Sequence, residues 1–145
     1  MRIVIASDHA GFDLKHEVRR HLVDLGHEVR DLGPEEKARC DYPDYASKVA
    51  AAVASGEAEL GFLCCGTGVG MSMAANKVHG VRAAVVSDSF SARATREHND
   101  ANVLCLGERV VGTGLALQIV DAFLGATFEG GRHTGRVSKI MDLER

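Results

Sequence analysis

A chain of 145 residues fits one domain of common size, and its 46% hydrophobic residues supply a full core. Charged residues make up 26%, the net charge is −3, and there is no block of Lys or Arg and no Trp, which together exclude a nucleic-acid-binding surface. No apolar run has the length a bilayer needs, no leader-like segment stands at the N-terminus, and the four cysteines lack C-x-x-C spacing, so the expectation is a cytoplasmic protein with reduced thiols and no metal site.

The predicted elements alternate. Ile3 to Ala6 is a short strand, followed by polar Ser7-Asp8-His9. Phe12 to Leu25 carries apolar residues at helical spacing and stops at Gly26. Glu28 to Leu32 reads as a second strand and Gly33 to Arg39 as a polar loop. A helix opened by Pro43 then runs to about Ala54, stopped by Gly56. Leu60 to Cys65 is apolar throughout, as a strand covered on both faces should be. A glycine-rich turn and a short helix to Asn76 or Lys77 come next. Val81 to Val86 is a fourth strand, Ser89 to His98 a helix, Val103 to Leu106 a fifth strand and Gly114 to Leu124 an apolar helix. This order predicts a single-domain α/β fold: a Rossmann-like three-layer sandwich with a five-stranded parallel sheet and helices on both faces.

In such sheets ligands bind beyond the carboxyl ends of the strands. That rule selects Asp8-His9, Gly66-Thr67-Gly68, Ser87-Asp88 and Gly107-Glu108-Arg109. The stretch Cys65-Gly66-Thr67-Gly68-Val69-Gly70-Met71-Ser72 is the most informative. Glycines at alternate positions leave backbone N–H groups uncovered and able to converge on an anion. It is neither a dinucleotide fingerprint nor a P-loop, because the spacing is G-x-G-x-G and no Gly-Lys-Ser/Thr follows. A turn needing glycine only for its shape is the competing reading.

Cys65 stands at the mouth of this turn, where a thiolate is more accessible than in a core. Cys64 should point the other way along its strand and Cys105 into the core, as free cysteines usually do. Cys40 has no assigned role. Thr67 supplies a hydroxyl for proton relay. Asp8 is a hydroxyl ligand, a helix N-cap or both at once, and His9 an anion ligand or proton shuttle. His98-Asn99-Asp100 is either chemical or a solvated loop. His16, His21, His27 and His79 read as surface residues with no metal-binding pattern. If the segment Glu129-Gly130-Gly131-Arg132-His133-Thr134-Gly135-Arg136 is helical, Arg132 and Arg136 share a face suited to a phosphate.

Taken together, Ser7-Asp8-His9-Ala10-Gly11, Asp41-Tyr42-Pro43, Cys65 to Ser72, Ala74-Ala75-Asn76-Lys77, His98-Asn99-Asp100 and Gly130-Gly131-Arg132-His133 resemble the type B ribose-5-phosphate isomerases and the related galactose- and allose-phosphate isomerases. The match runs from Met1 to about Asp142. The resemblance implies an aldose–ketose isomerase of the non-oxidative pentose phosphate pathway, working through a cis-enediolate without cofactor. It implies Cys65 as general base, Gly66, Thr67, Gly68, Val69 and Gly70 as anion hole, and Thr67 as proton relay. His98 would open the sugar ring. Asp8, His9, Tyr42, Asn99, Arg109, Arg132 and Arg136 would contact substrate, the last two at its phosphate. It further implies a homodimer or homotetramer with the site at the dimer interface, His98 and Asn99 arriving from the neighbour, and a C-terminal segment of about 129–145 adding phosphate and oligomer contacts. Part of the family places a glutamate base farther along the turn. Here Met71-Ser72-Met73-Ala74 holds no carboxylate, so the cysteine variant applies. Weighed against this are an isomerase of a six-carbon sugar phosphate, a non-catalytic sugar-phosphate-binding subunit, and a flavodoxin-like nucleotide-binding or receiver domain. The last lacks a phosphoacceptor Asp after the third strand.

Overall fold

The computed structural model describes residues 1–144; Arg145, the end of the C-terminal segment, lies outside the described residues. Eleven elements follow one another: β1 (Arg2–Ser7), α1 (Phe12–Asp24), β2 (Glu28–Asp31), α2 (Tyr42–Ala54), β3 (Leu60–Cys65), α3 (Val69–Ala75), β4 (Ala83–Val85), α4 (Ser89–Asn99), β5 (Val103–Gly107), α5 (Thr113–Leu124) and α6 (Arg132–Met141). The strands form one parallel sheet in the order β2-β1-β3-β5-β4.

Side-chain alternation sorts the strands into two layers. Ile3, Ile5, Phe62, Cys64, Leu104 and Leu106 pack with α1 and α5 through Leu14, Val18, Ile119 and Phe123. Val4, Ala6, Leu63, Cys65, Val103 and Cys105 face the other way, onto α2 and α3 through Val49, Val53, Met71 and Ala75. Neighbouring cysteines 64 and 65 therefore belong to opposite layers. Both Cys64 and Cys105 are fully buried, and desolvation holds each thiol well above its ordinary pKa, so neither ionises in the physiological range.

Chain direction across the sheet fixes where a ligand can sit. From β1 the chain steps outward to β2 on one side and, through β3, to β5 on the other. The carboxyl ends of β1 and β3 are thus a topological switch point, the crevice where open α/β sheets bind ligands. Ser7 pairs with Cys64 in register there, so Asp8 and Cys65 emerge side by side.

One strand is shorter than expected, and one capping role falls away. The fourth strand spans only Ala83–Val85, not Val81 to Val86. Val81 N–H is taken by the Val78 carbonyl in a turn, and Asn102 Oδ1 accepts the N–H of Arg82, so neither joins the ladder. Asp8 does not cap α1; its Oδ1 accepts the N–H groups of Ala10 (2.9 Å) and Gly11 (3.0 Å), and Gly11 itself holds the N-cap position. Sequence patterning also passed over Lys15. Its side chain is 0% exposed, and Nζ donates to Asp31 Oδ1 (3.1 Å) and the Pro34 carbonyl (2.7 Å). That pair ties α1 to the loop after β2. Among the described residues, no helix is long and apolar enough to cross a membrane.

Candidate active site

An open cleft of about 490 Å³ lies over the switch point. Asp8 and His9 line it from the end of β1, and Cys65, Gly66, Thr67, Val69 and Gly70 from the turn after β3. Tyr42 enters from the start of α2 and Arg109 from the loop after β5. Nine of the residues singled out in the sequence meet here.

The turn is held tightly. Gly68 has φ 80°, and a Cβ there would lie 2.9 Å from Val85 and 3.0 Å from the Leu106 backbone, so only glycine fits. From the other side, Glu108 N–H donates to the Cys65 carbonyl (2.9 Å) and Arg109 N–H to the Gly66 carbonyl (3.0 Å). The Arg109 guanidinium lies close over Gly66. A Cβ on Gly107 would come within 2.6 Å of the Thr67 backbone. Gly107→Ala is accordingly expected to push the turn out of place and lower kcat by about 10²-fold, as a shift of an ångström at reacting groups does. Circular dichroism should stay near wild type. An unchanged kcat would show that the turn tolerates displacement.

Cys65 is 5% exposed and packs with the α2–α3 layer, and it also lines the cleft. Its Sγ accepts the N–H of Gly68 at 3.0 Å, which ties the sulfur to the turn. That bond removes Gly68 from the donors free for a ligand. Thr67 Oγ1 accepts the N–H of Val69 (3.3 Å), leaving the hydroxyl hydrogen to donate. The N–H of Gly70 falls in the first turn of α3, where helix geometry supplies no carbonyl partner. Because α3 has only seven residues, these individual N–H groups matter more than a helix dipole. Tyr42 lays its ring against Gly70; a Cβ there would sit 2.7 Å from the ring.

His9 Nδ1 accepts the N–H of Cys40 at 3.3 Å, so in the neutral ring Nε2 carries the hydrogen. Cys40 thus acts through its backbone, a role its side chain could not reveal. Glu108, also unassigned, extends Oε1 to the N–H of Leu14 (2.7 Å) and bonds the free end of α1 from across the sheet.

The other expected residues stand apart. His98 and Asn99 are the last residues of α4, not a solvated loop. Asp100, at φ 49°, closes that helix, and its carboxylate meets Arg82 (3.4 Å) and Arg96 (3.3 Å). Asn99 lines a different groove, with Arg82, Ala101 and Ile140. Arg132 and Arg136 lie four residues apart on α6, both exposed, as the helical reading required. The ring of His98 stacks on His133, with centroids 4.4 Å apart and planes at 15°. Burial, with help from Arg132 and His98, holds His133 below the usual histidine pKa. Sequence reasoning had given His133 no role, although Glu129 and His133 at a spacing of four could have signalled a side-chain pair. Of the histidines expected on the surface, His79 is exposed, while His16 packs edge-on against Phe12 and His21 Nε2 meets Asp121 at 2.6 Å.

Comparison with known proteins fits this arrangement. The family model described as Ribose/Galactose Isomerase matches residues 3–140. This chain belongs to the ribose/galactose isomerase family. Within the family it is 56% identical to Escherichia coli ribose-5-phosphate isomerase B over 144 residues, which is 99% of this chain and 97% of that protein. The solved structure of Clostridium thermocellum ribose-5-phosphate isomerase B superposes with a TM-score of 0.98 at 56% identity, over 99% of this chain and 97% of that one. The Mycoplasma genitalium ribose-5-phosphate isomerase B, solved with bound ribulose-5-phosphate, gives 0.95 at 50% identity, over 99% and 95%. The ribose/galactose isomerase fold is thus the fold of this chain over residues 3–140.

Proposed function

We propose that this chain interconverts D-ribose 5-phosphate and D-ribulose 5-phosphate. The observation that carries the reading is Cys65, which lines a cleft shared with Thr67, His9 and Arg109 and whose sulfur is held by Gly68 N–H at 3.0 Å. The ring opens first, with His98 moving the proton. Cys65 thiolate then takes the proton from C2, giving a cis-enediolate, and returns it to C1. The N–H groups of Gly66, Thr67 and Gly70, which are not spent within the turn, stabilise the enediolate oxygens, each such donor contributing about 3–4 kcal/mol in the transition state. Thr67 passes a proton between those two oxygens. Asp8, His9, Tyr42 and Arg109 hold the sugar, and no step uses a cofactor.

His98, Asn99, Arg132 and Arg136 lie outside the cleft of their own chain, and we assign them to the site of a second copy in a homodimer or homotetramer. Exposed apolar residues support a covering partner. Met73 and Val69 rim the cleft, and Phe90, in the first turn of α4, is 81% exposed. The segment 129–145 would carry the phosphate contacts and part of this interface. The setting we propose is the cytoplasm, whose reducing conditions suit four free thiols.

Ribose, allose and galactose phosphates assayed side by side test the substrate. The highest kcat/KM is expected for ribose 5-phosphate, in keeping with the ribose-5-phosphate isomerase B relatives at 50–56% identity. Preference for a hexose phosphate would move the chain to the other branch of the family. Arg132→Ala and Arg136→Ala are each expected to raise KM by about tenfold or more, the loss of a charge-assisted contact of 1.5–3 kcal/mol at about 1.4 kcal/mol per decade. Unchanged KM in both would take the phosphate away from α6.

A further inference from the structure

His98, Glu129 and His133 meet where the end of α4 packs against the start of α6, outside the Cys65 cleft. One ligand atom from each lies within 4.8 Å of the other two. The geometry has a local cause. Gly130 and Gly131, at φ 65° and 57°, turn the chain back just before α6, so Glu129 faces His133 one helical turn on. Glu129 N–H donates to the Glu97 carbonyl (3.0 Å), which ties this turn to the helix that bears His98.

His133 is 6% exposed, and its buried Nε2 has no hydrogen-bond partner. That nitrogen points toward Glu129 Oε2 at 3.7 Å, too far for a hydrogen bond but near the ligand-to-ligand spacing around a tetrahedral ion. Such orphaned buried nitrogens are rare and call for an explanation. Two imidazoles and one carboxylate are the donor set of zinc sites that keep an open position, and imidazole favours zinc, copper and nickel over calcium and magnesium.

Two features oppose binding. Arg132 and Arg136 place positive charge on the same helix, although both are exposed and screened by salt. The near-parallel rings direct their lone pairs side by side, so His98, half-buried on the last turn of α4, must tilt to share an ion. Both lower the affinity relative to a closed structural zinc site.

We propose that His98, Glu129 and His133 bind one divalent ion of the zinc class, leaving a fourth position to water, and that the bound ion inhibits isomerisation by withdrawing His98. The inhibitory half rests on the ring-opening role given to His98 above; the binding half does not.

The probe is Co²⁺ titrated into the full-length, chelator-treated protein carrying Cys65→Ser, which removes the competing cleft thiol. The expected result is visible absorption of a four-coordinate ion saturating at one per chain. Glu129→Gln, at an exposed position, and His133→Gln should each weaken it by about tenfold or more. With Cys65 intact, Zn²⁺ should inhibit turnover, and Glu129→Gln should raise by about tenfold the Zn²⁺ that halves that variant's own activity. No saturable absorption, or a titration that Glu129→Gln leaves unchanged, overturns the metal site while the isomerase reading stands. One ion per chain with turnover unaffected overturns the inhibitory half, and with it the role of His98.

Discussion

Replacing Cys65 with alanine is expected to lower kcat for ribose 5-phosphate by about 10³–10⁴-fold, the upper range for loss of a positioned general base. Binding of the sugar phosphate should persist, because the groups assigned to hold it are Asp8, His9, Tyr42, Arg109 and the arginines of α6. The partner experiment is Cys64→Ala. Cys64 sits in the opposite layer, fully buried among Ile5, Phe62 and Leu106, with a thiol that burial keeps protonated. Its loss should cost about 1 kcal/mol of stability for the small cavity and leave kcat near wild type. Two adjacent cysteines thereby separate chemistry from packing. Strong turnover in Cys65→Ala, or a collapse of kcat in Cys64→Ala, would place the base elsewhere. The decline must appear in kcat and not only in KM, since a residue that merely shaped the pocket would weaken binding of substrate and transition state together.

Local signals made most of the frame legible. An apolar strand ending in two cysteines, followed by alternate glycines, fixes which sulfur faces which layer once strand alternation is applied, and the structure divides Cys64 and Cys65 that way. Gly26 and Gly56 mark two helix ends at φ 93° and 83°. What escaped were contacts made across the fold. Lys15 resembles any surface lysine in its helix, and its burial depends on Asp31 and the Pro34 carbonyl, which only the folded loop brings near. Glu108 and the backbone of Cys40 serve groups 94 and 31 residues away in sequence. The capping reading of Asp8 failed for a related reason: an Asp before a helix suits either a cap or a tighter turn, and Gly11, pressed against the Cys64 backbone, holds the turn. The fourth strand was overdrawn because the valines at 81, 85 and 86 suggest one continuous strand, while Asn102 captures the Arg82 N–H that pairing would need.

Whether the α4 and α6 residues act in their own chain or in a partner's can be decided by mixing two defective chains. One carries Cys65→Ala and the other His98→Asn, each with little activity alone. If the working site joins Cys65 of one copy to His98 of another, random mixing makes about one site in four intact, and activity should rise from the parental floor to about a quarter of wild type. If both residues served the same chain, every site would keep one lesion and mixing would restore nothing. The geometry favours restoration. His98 points to His133 at the α4–α6 junction, while Cys65 faces a cleft lined by α2, the turn before α3 and the loop after β5. Asp100, pinned by Arg82 and Arg96, fixes the end of α4, so no small loop movement within one chain carries His98 across to Cys65. The mixed sample should also show wild-type KM, since each restored site has both its own Arg109 and the partner's intact pair of α6 arginines.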